Sequence, residues 1–141
     1  MMYNHILIPI DGSDGSMRGV EYGLDIAQKY GATVHALYVV DRRTYGDTPA
    51  LSSDELFFEQ VEDHGEEMLG AVEEKANELG LETVTVCKRG LPHETILDYV
   101  EEQGIDLIVM GKHGHSDFEL PHIGSCTDRV VRSAKVPVHP I

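Results

Sequence analysis

Two short segments hold the residues best suited to chemistry. Met110-Gly111-Lys112-His113-Gly114 is followed, after nine intervening residues, by Gly124-Ser125-Cys126-Thr127. Glycines let a backbone come close to phosphate oxygens, and N–H groups at the start of a helix attract anions. Ser125 and Thr127 add hydroxyl donors, and Lys112 adds a cation. By spacing alone, 111–127 reads equally as a phosphate cradle or as a turn in which Ser125 caps the next helix. Asp11, in Asp11-Gly12-Ser13-Asp14-Gly15, is a separate candidate. A carboxylate accepts hydrogen bonds, so it suits hydroxyl donors and not phosphates. Its structural alternative is an Asp turn onto Gly12 and Ser13.

Histidine is frequent, with eight in the chain, and His113, His115 and His122 lie in or beside the Gly-rich loop. A transition-metal site there would need Asp117 and Glu119 brought in by the loop, because no cysteine pair stands at ligand spacing. Histidine exposed or beside a phosphate is the favoured reading, and His93 after Pro92 is a helix-start residue. Several familiar sites are missing: there is no G-x-x-x-x-G-K-[ST], no G-x-G-x-x-G after a strand and no G-x-S-x-G. Phosphoryl transfer also needs charge stabilisation at the transferring group. Arg129 and Arg132 sit too far down the last helix to supply it, so the expectation is binding with at most slow turnover.

These residues have to be positioned by a scaffold, and its elements are legible. His5–Ile10 is a nearly continuous apolar run, which suits a strand buried on both faces. Met17, Val20, Leu24 and Ala27 recur at helical spacing, and Gly31 closes that helix. Thr33–Val40 reads as a second strand and Asp41–Ser53 as a loop. Asp54–Leu79 reads as a helix whose stripe is Val61, Met68, Val72, Ala76 and Leu79, stopped by Gly80. Glu82–Cys87 reads as a strand with β-branched residues at alternating positions. A helix then starts at Pro92, carries Ile96, Leu97 and Val100, and stops at Gly104. Asp106–Met110 is the fourth strand, Cys126–Ala134 the last helix and Val136–His139 a short fifth strand. Alternating strands and helices give one α/β domain with a parallel sheet and helices on both faces. The two doubly wound orders compete; five strands favour the flavodoxin-like kind, with the site at the carboxyl ends of the strands.

The chain has 141 residues, enough for one domain with a real core, and 41% of them are apolar. Asp and Glu number 25 against 11 Lys and Arg, a net charge of −14. That balance argues against nucleic acid or an anionic membrane as a main partner. The acidic residues concentrate in helical stretches and read as a solvated face. Cys87 and Cys126 are the only cysteines. Two isolated thiols, with neither a signal peptide nor a spanning apolar segment, point to the cytoplasm.

Taken together, Ile6-Leu-Ile-Pro-Ile-Asp11-Gly-Ser13, Gly90-Leu-Pro-His93, Asp106-Leu-Ile-Val-Met-Gly111, the spacing from Gly111 through Gly114 to Gly124-Ser125, Asp128-Arg-Val-Val-Arg132 and Val136-Pro-Val138 resemble the universal stress protein family in its ATP-binding subclass. The resemblance covers nearly the whole chain. It implies a five-stranded parallel sheet in the order 3-2-1-4-5 and a homodimer. It also implies an adenine nucleotide (ATP, ADP or AMP), with Mg2+ or Mn2+ bridging its phosphates. Pro9, Ile10 and Val39 would then lie against adenine, and Asp11 against the ribose. Gly111, Gly114, Gly124, Ser125 and Thr127 would hold the phosphates, with Cys126 contributing backbone. Met110 and His115 complete the set. Cys126 departs from the family pattern of Val or Thr, and its place beside a helix N-terminus raises redox sensing as a subsidiary idea. Pro140 departs too, since a proline cannot donate to a ladder, and this bears on the family's dimer pairing through its last strand. The role implied is a regulatory switch. A nucleotide-free interaction module and a nucleotide-transferring enzyme are the alternatives.

Overall fold

The computed structural model describes residues 2–41, 51–112 and 125–141, excluding the side chains of 51–57. The elements run β1 (His5–Ile10), α1 (Asp14–Tyr30), β2 (Thr33–Asp41), α2 (Leu51–Glu78), β3 (Thr83–Gly90), α3 (Pro92–Gln103), β4 (Leu107–Met110), α4 (Ser125–Ser133) and β5 (Val138–Pro140). The strands form one sheet in the order β3-β2-β1-β4-β5, and every pairing is parallel. This is the 3-2-1-4-5 order implied by the family resemblance, not the flavodoxin-like 2-1-3-4-5 that strand count alone favoured. The strands' own residues explain the order. β1 and β4 are apolar and buried along almost their whole length, as central strands must be. β3 alternates and leaves Val84 41% exposed, which suits an edge.

Alternation along the strands divides the core in two. Ile6, Ile8, Ile10, Val34, Ala36, Tyr38 and Val40 face α1 and α2. Leu7, Leu37, Ile108 and Met110 face α3 and α4, where Ile96, Tyr99, Val100 and Val130 cover them. Each fully buried Ile, Leu or Val contributes about 1.5–3 kcal/mol. The helices stop where expected: Gly31, Gly80 and Gly104 all take the left-handed conformation, which costs glycine nothing.

Several boundaries differ from the sequence reading. α2 begins at Leu51 and β3 runs on to Gly90. Residues 42–50 of the expected loop lie outside the described residues. Leu79 falls beyond the end of α2 and is 39% exposed, while Leu69 and Leu81 are buried in its stead. β5 is shifted to Val138–Pro140, and Pro140 lies inside it opposite Met110. The ladder accommodates the proline because Pro137 and Ile141 carry the bonds to β4. The Ile108 N–H donates to the Pro137 carbonyl, and the Ile141 N–H to the Met110 carbonyl. By alternation Pro140 turns its nitrogen to the outer edge, where no ladder hydrogen bond is needed.

Candidate functional site

The carboxyl ends of β1 and β4 meet the N-termini of α1 and α4. The β1–α1 junction is an interlocked turn. Asp11 Oδ1 accepts the Ser13 N–H at 2.9 Å, and Gly12 between them has φ 84°. The Asp turn expected as Asp11's structural role is therefore present, and it engages one carboxylate oxygen. Ser13 caps α1 by accepting the Ser16 N–H at 3.2 Å. The Ser16 hydroxyl accepts the Asp11 N–H at 3.3 Å and donates to the Ser13 carbonyl at 3.0 Å.

Gly111 leaves β4 directly against this turn. A Cβ placed there would stand 2.5 Å from the Gly15 carbonyl carbon and oxygen and 2.8 Å from the Ser16 nitrogen. The glycine is thus required by the contact between the β4 exit and the first turn of α1. Gly19 and Gly23 continue the same close approach, toward Met110–Gly111 and toward Ile8 respectively. Gly15, Gly19 and Gly23 recur at every fourth residue and so lie along one face of α1. That spacing was the available signal for the contact, and the sequence reading passed over it.

The first turn of α4 is tied to the same point. Thr127 is buried, and its hydroxyl donates to the Gly111 carbonyl at 2.7 Å. That proton is committed within the protein, so what Thr127 contributes here is the anchoring of α4 to the end of β4. Ser125 is exposed and Cys126 is half-buried against the second core cluster. Lys112 is exposed, and its backbone N–H donates to the Ile141 carbonyl.

Asp11, Gly111 and Thr127, far apart in sequence, are therefore brought to one place through Ser16 and Gly15. Pro9 and Ile10 end β1, paired with Leu37 and Tyr38 of β2. Val39 is half-buried near the carboxyl end of β2 and packs on the α3/α4 side. Met110 is buried on that same side, one residue before the Gly111 contact. Gly114, His115, Gly124 and the histidine group at 113, 115 and 122 lie outside the described residues. Among the described residues there is no cluster of three His, Cys, Asp or Glu able to hold a metal ion, and no helix is long and apolar enough to cross a membrane. Neither Cys87 nor Cys126 is in a disulfide. Burial, then Glu62 and Glu66, pushes the Cys87 thiol up to about 11, which makes it inert at neutral pH.

Comparison with known proteins gives a consistent answer. The profile described as "Universal stress protein family" matches residues 2–140. A universal stress protein of Methanocaldococcus jannaschii is 37% identical over 137 residues, covering 97% of this chain and 81% of that protein. The solved structure of universal stress protein UspA from Lactobacillus plantarum superposes with a TM-score of 0.92 at 31% identity, covering 100% of this chain and 99% of that one. The fold recurs at lower identity in two ligand complexes. One is a universal stress protein with cAMP, at a TM-score of 0.75 and 19% identity, covering 100% of this chain and 98% of that one. The other is the Archaeoglobus fulgidus universal stress protein with dAMP, at a TM-score of 0.67 and 21% identity, covering 100% and 99%.

Proposed function

This chain belongs to the universal stress protein family, and from that premise we propose that it binds an adenine nucleotide at the carboxyl ends of β1, β2 and β4 and works as a nucleotide-dependent regulator. One observation carries the reading: Asp11 and the first turn of α4 converge on Gly111. This is the crevice between β1 and β4, where the chain's path across the sheet reverses direction. A carboxylate suits a ribose, and the N–H groups of Ser125 and Cys126 suit a phosphate. Complexes of two members of the same fold with cAMP and dAMP support an adenine ligand. A divalent cation such as Mg2+ or Mn2+ would enter with the nucleotide and would supply charge neutralisation at its phosphates. We propose a cytoplasmic location, in keeping with two cysteines that form no disulfide, and expect a homodimer. We expect slow hydrolysis at most, because the arginines of α4, Arg129 and Arg132, lie beyond its first turn.

The test is thermal unfolding with and without millimolar Mg-ATP, together with mass spectrometry of small molecules released by the purified protein. A ligand at a hundred times its Kd adds about 2.7 kcal/mol. Asp11→Ala should weaken that stabilisation more than it weakens the unliganded fold. A specific observation favours the second reading, a nucleotide-free interaction module: Gly111 and the Thr127 hydroxyl already have structural duties within the protein. If folded protein carries no nucleotide and does not respond to millimolar ATP, ADP or AMP, that reading replaces the first.

A further inference from the structure

The opposite end of the sheet holds a polar chain that the nucleotide reading does not use. His35, on β2, is only 4% exposed. Its Nε2 lies 3.2 Å from His5 Nδ1, on β1, and its Nδ1 lies 2.7 Å from the Tyr99 hydroxyl, on α3. Tyr99 is 2% exposed. The three rings stack edge to face, with centroids 5.3 and 5.6 Å apart. The chain runs from the half-exposed His5 into the seam between the sheet and α3.

With both imidazoles neutral, every link has one proton. Tyr99 O–H donates to His35 Nδ1, His35 Nε2–H donates to His5 Nδ1, and His5 keeps its remaining N–H for solvent. One added proton changes this. Placed on His35, it turns Nδ1 into a donor and reverses the Tyr99 link. Placed on His5 Nδ1, it must point at His35 Nε2, which drives the His35 proton to Nδ1 and again displaces the tyrosine donor. Either way a charge enters the seam.

The carboxylates facing the pair are engaged elsewhere than on its rings. Both Asp106 oxygens accept backbone N–H groups, Oδ2 from Asn4 at 2.9 Å and Oδ1 from His5 at 3.2 Å. Lys88 of β3 lies 5.7 Å from the centre of the Tyr99 ring and pairs with Glu102 of α3 at 3.7 Å. The Glu82 carboxylate accepts the Thr33 hydroxyl at 3.5 Å. Among the described residues no carboxylate is hydrogen-bonded to either imidazole.

We propose that His5, His35 and Tyr99 form an acid-sensitive latch, clamping α3 to β1 and β2 when the histidine pair is neutral and releasing α3 when the pair takes up a proton. Burial, and secondarily His5, hold the His35 imidazole below its ordinary 6.5 in the folded protein. The sign follows directly. The unfolded chain binds the proton more readily, so stability is complete above 6.5 and declines as pH falls below it.

The experiment compares wild type with His35→Gln, which keeps a hydrogen-bonding side chain and cannot titrate. Thermal midpoints are measured from pH 7.5 to 5.0, and amide exchange, corrected for intrinsic rate, at pH 7.0 and 5.5. Between pH 6.5 and 5.0 wild type should lose more of its thermal midpoint than His35→Gln does. Wild-type α3 amides should lose at least tenfold in protection at pH 5.5 while α1 amides hold theirs. Parallel pH profiles for the two proteins would overturn the proposal, as would loss of protection shared equally by α1 and α3. If His35→Gln does not fold, histidine ring NMR on wild type decides: a His35 titrating at its ordinary midpoint sinks the latch, and one that stays neutral until α3 opens supports it.

Discussion

At the carboxyl end of the sheet backbone meets backbone, and at the amino end side chain meets side chain. Gly111 and Gly19 let the β4 exit and α1 come together because neither has a Cβ. At the other end His5, His35 and Tyr99 hold β1, β2 and α3 through ring nitrogens and a hydroxyl. The first arrangement is insensitive to pH and intolerant of added atoms. The second tolerates shape better and depends on protonation. The nucleotide site we propose would need a surface that does not shift as conditions vary, which a glycine-built contact provides.

The comparison can be broken most decisively at Gly111. Gly111→Ala puts a methyl into the Gly15 carbonyl and should cost about 3 kcal/mol in urea-induced unfolding, at pH 5.5 and pH 7.5 alike; wild-type stability would show that the approach is not obligatory. Next come two hydroxyl deletions, one at each end. Tyr99→Phe leaves a buried His35 nitrogen without its partner and should cost about 2 kcal/mol at pH 7.5, with a smaller loss at pH 5.5. Thr127→Val removes the bond to Gly111 and should cost about 1 kcal/mol with no such pH dependence; a pH-dependent cost there would erase the distinction between the ends. The smallest effect is expected at Asp128→Ala. This breaks an exposed pair with Arg132, at 3.0 Å, one turn down α4, and should change stability by about 0.5 kcal/mol or less.

Much of this was readable from the chain. The apolar runs of β1 and β4, the alternation of β3 and the glycines ending the helices follow from local chemistry, and they fixed the element sequence. Asp11 was legible as a turn former. Strand order was less accessible from the residues alone, because counting strands does not say which lie at the edges; the half-exposed pattern of β3 does. Thr127's bond to Gly111 joins positions 16 apart in sequence, and no local pattern announces a contact of that kind. His35 looked like one more residue of an apolar strand. Its partners come from β1 and α3, so only the assembled fold reveals that its ring is buried among polar groups.

Pro140 has a consequence for how the molecule can polymerise. A strand arriving along β5 would find the Val138 N–H and then a ring where the next outward donor should be, so a growing ladder there ends within one turn of the pleat. The far border, β3, runs eight residues from Thr83 to Gly90 without a proline, and among the described residues nothing pairs with its outer side. Head-to-tail growth into a fibre needs two complementary borders, and this sheet offers one long border and one that is truncated. Pairing between copies through these edges therefore closes after two molecules instead of propagating.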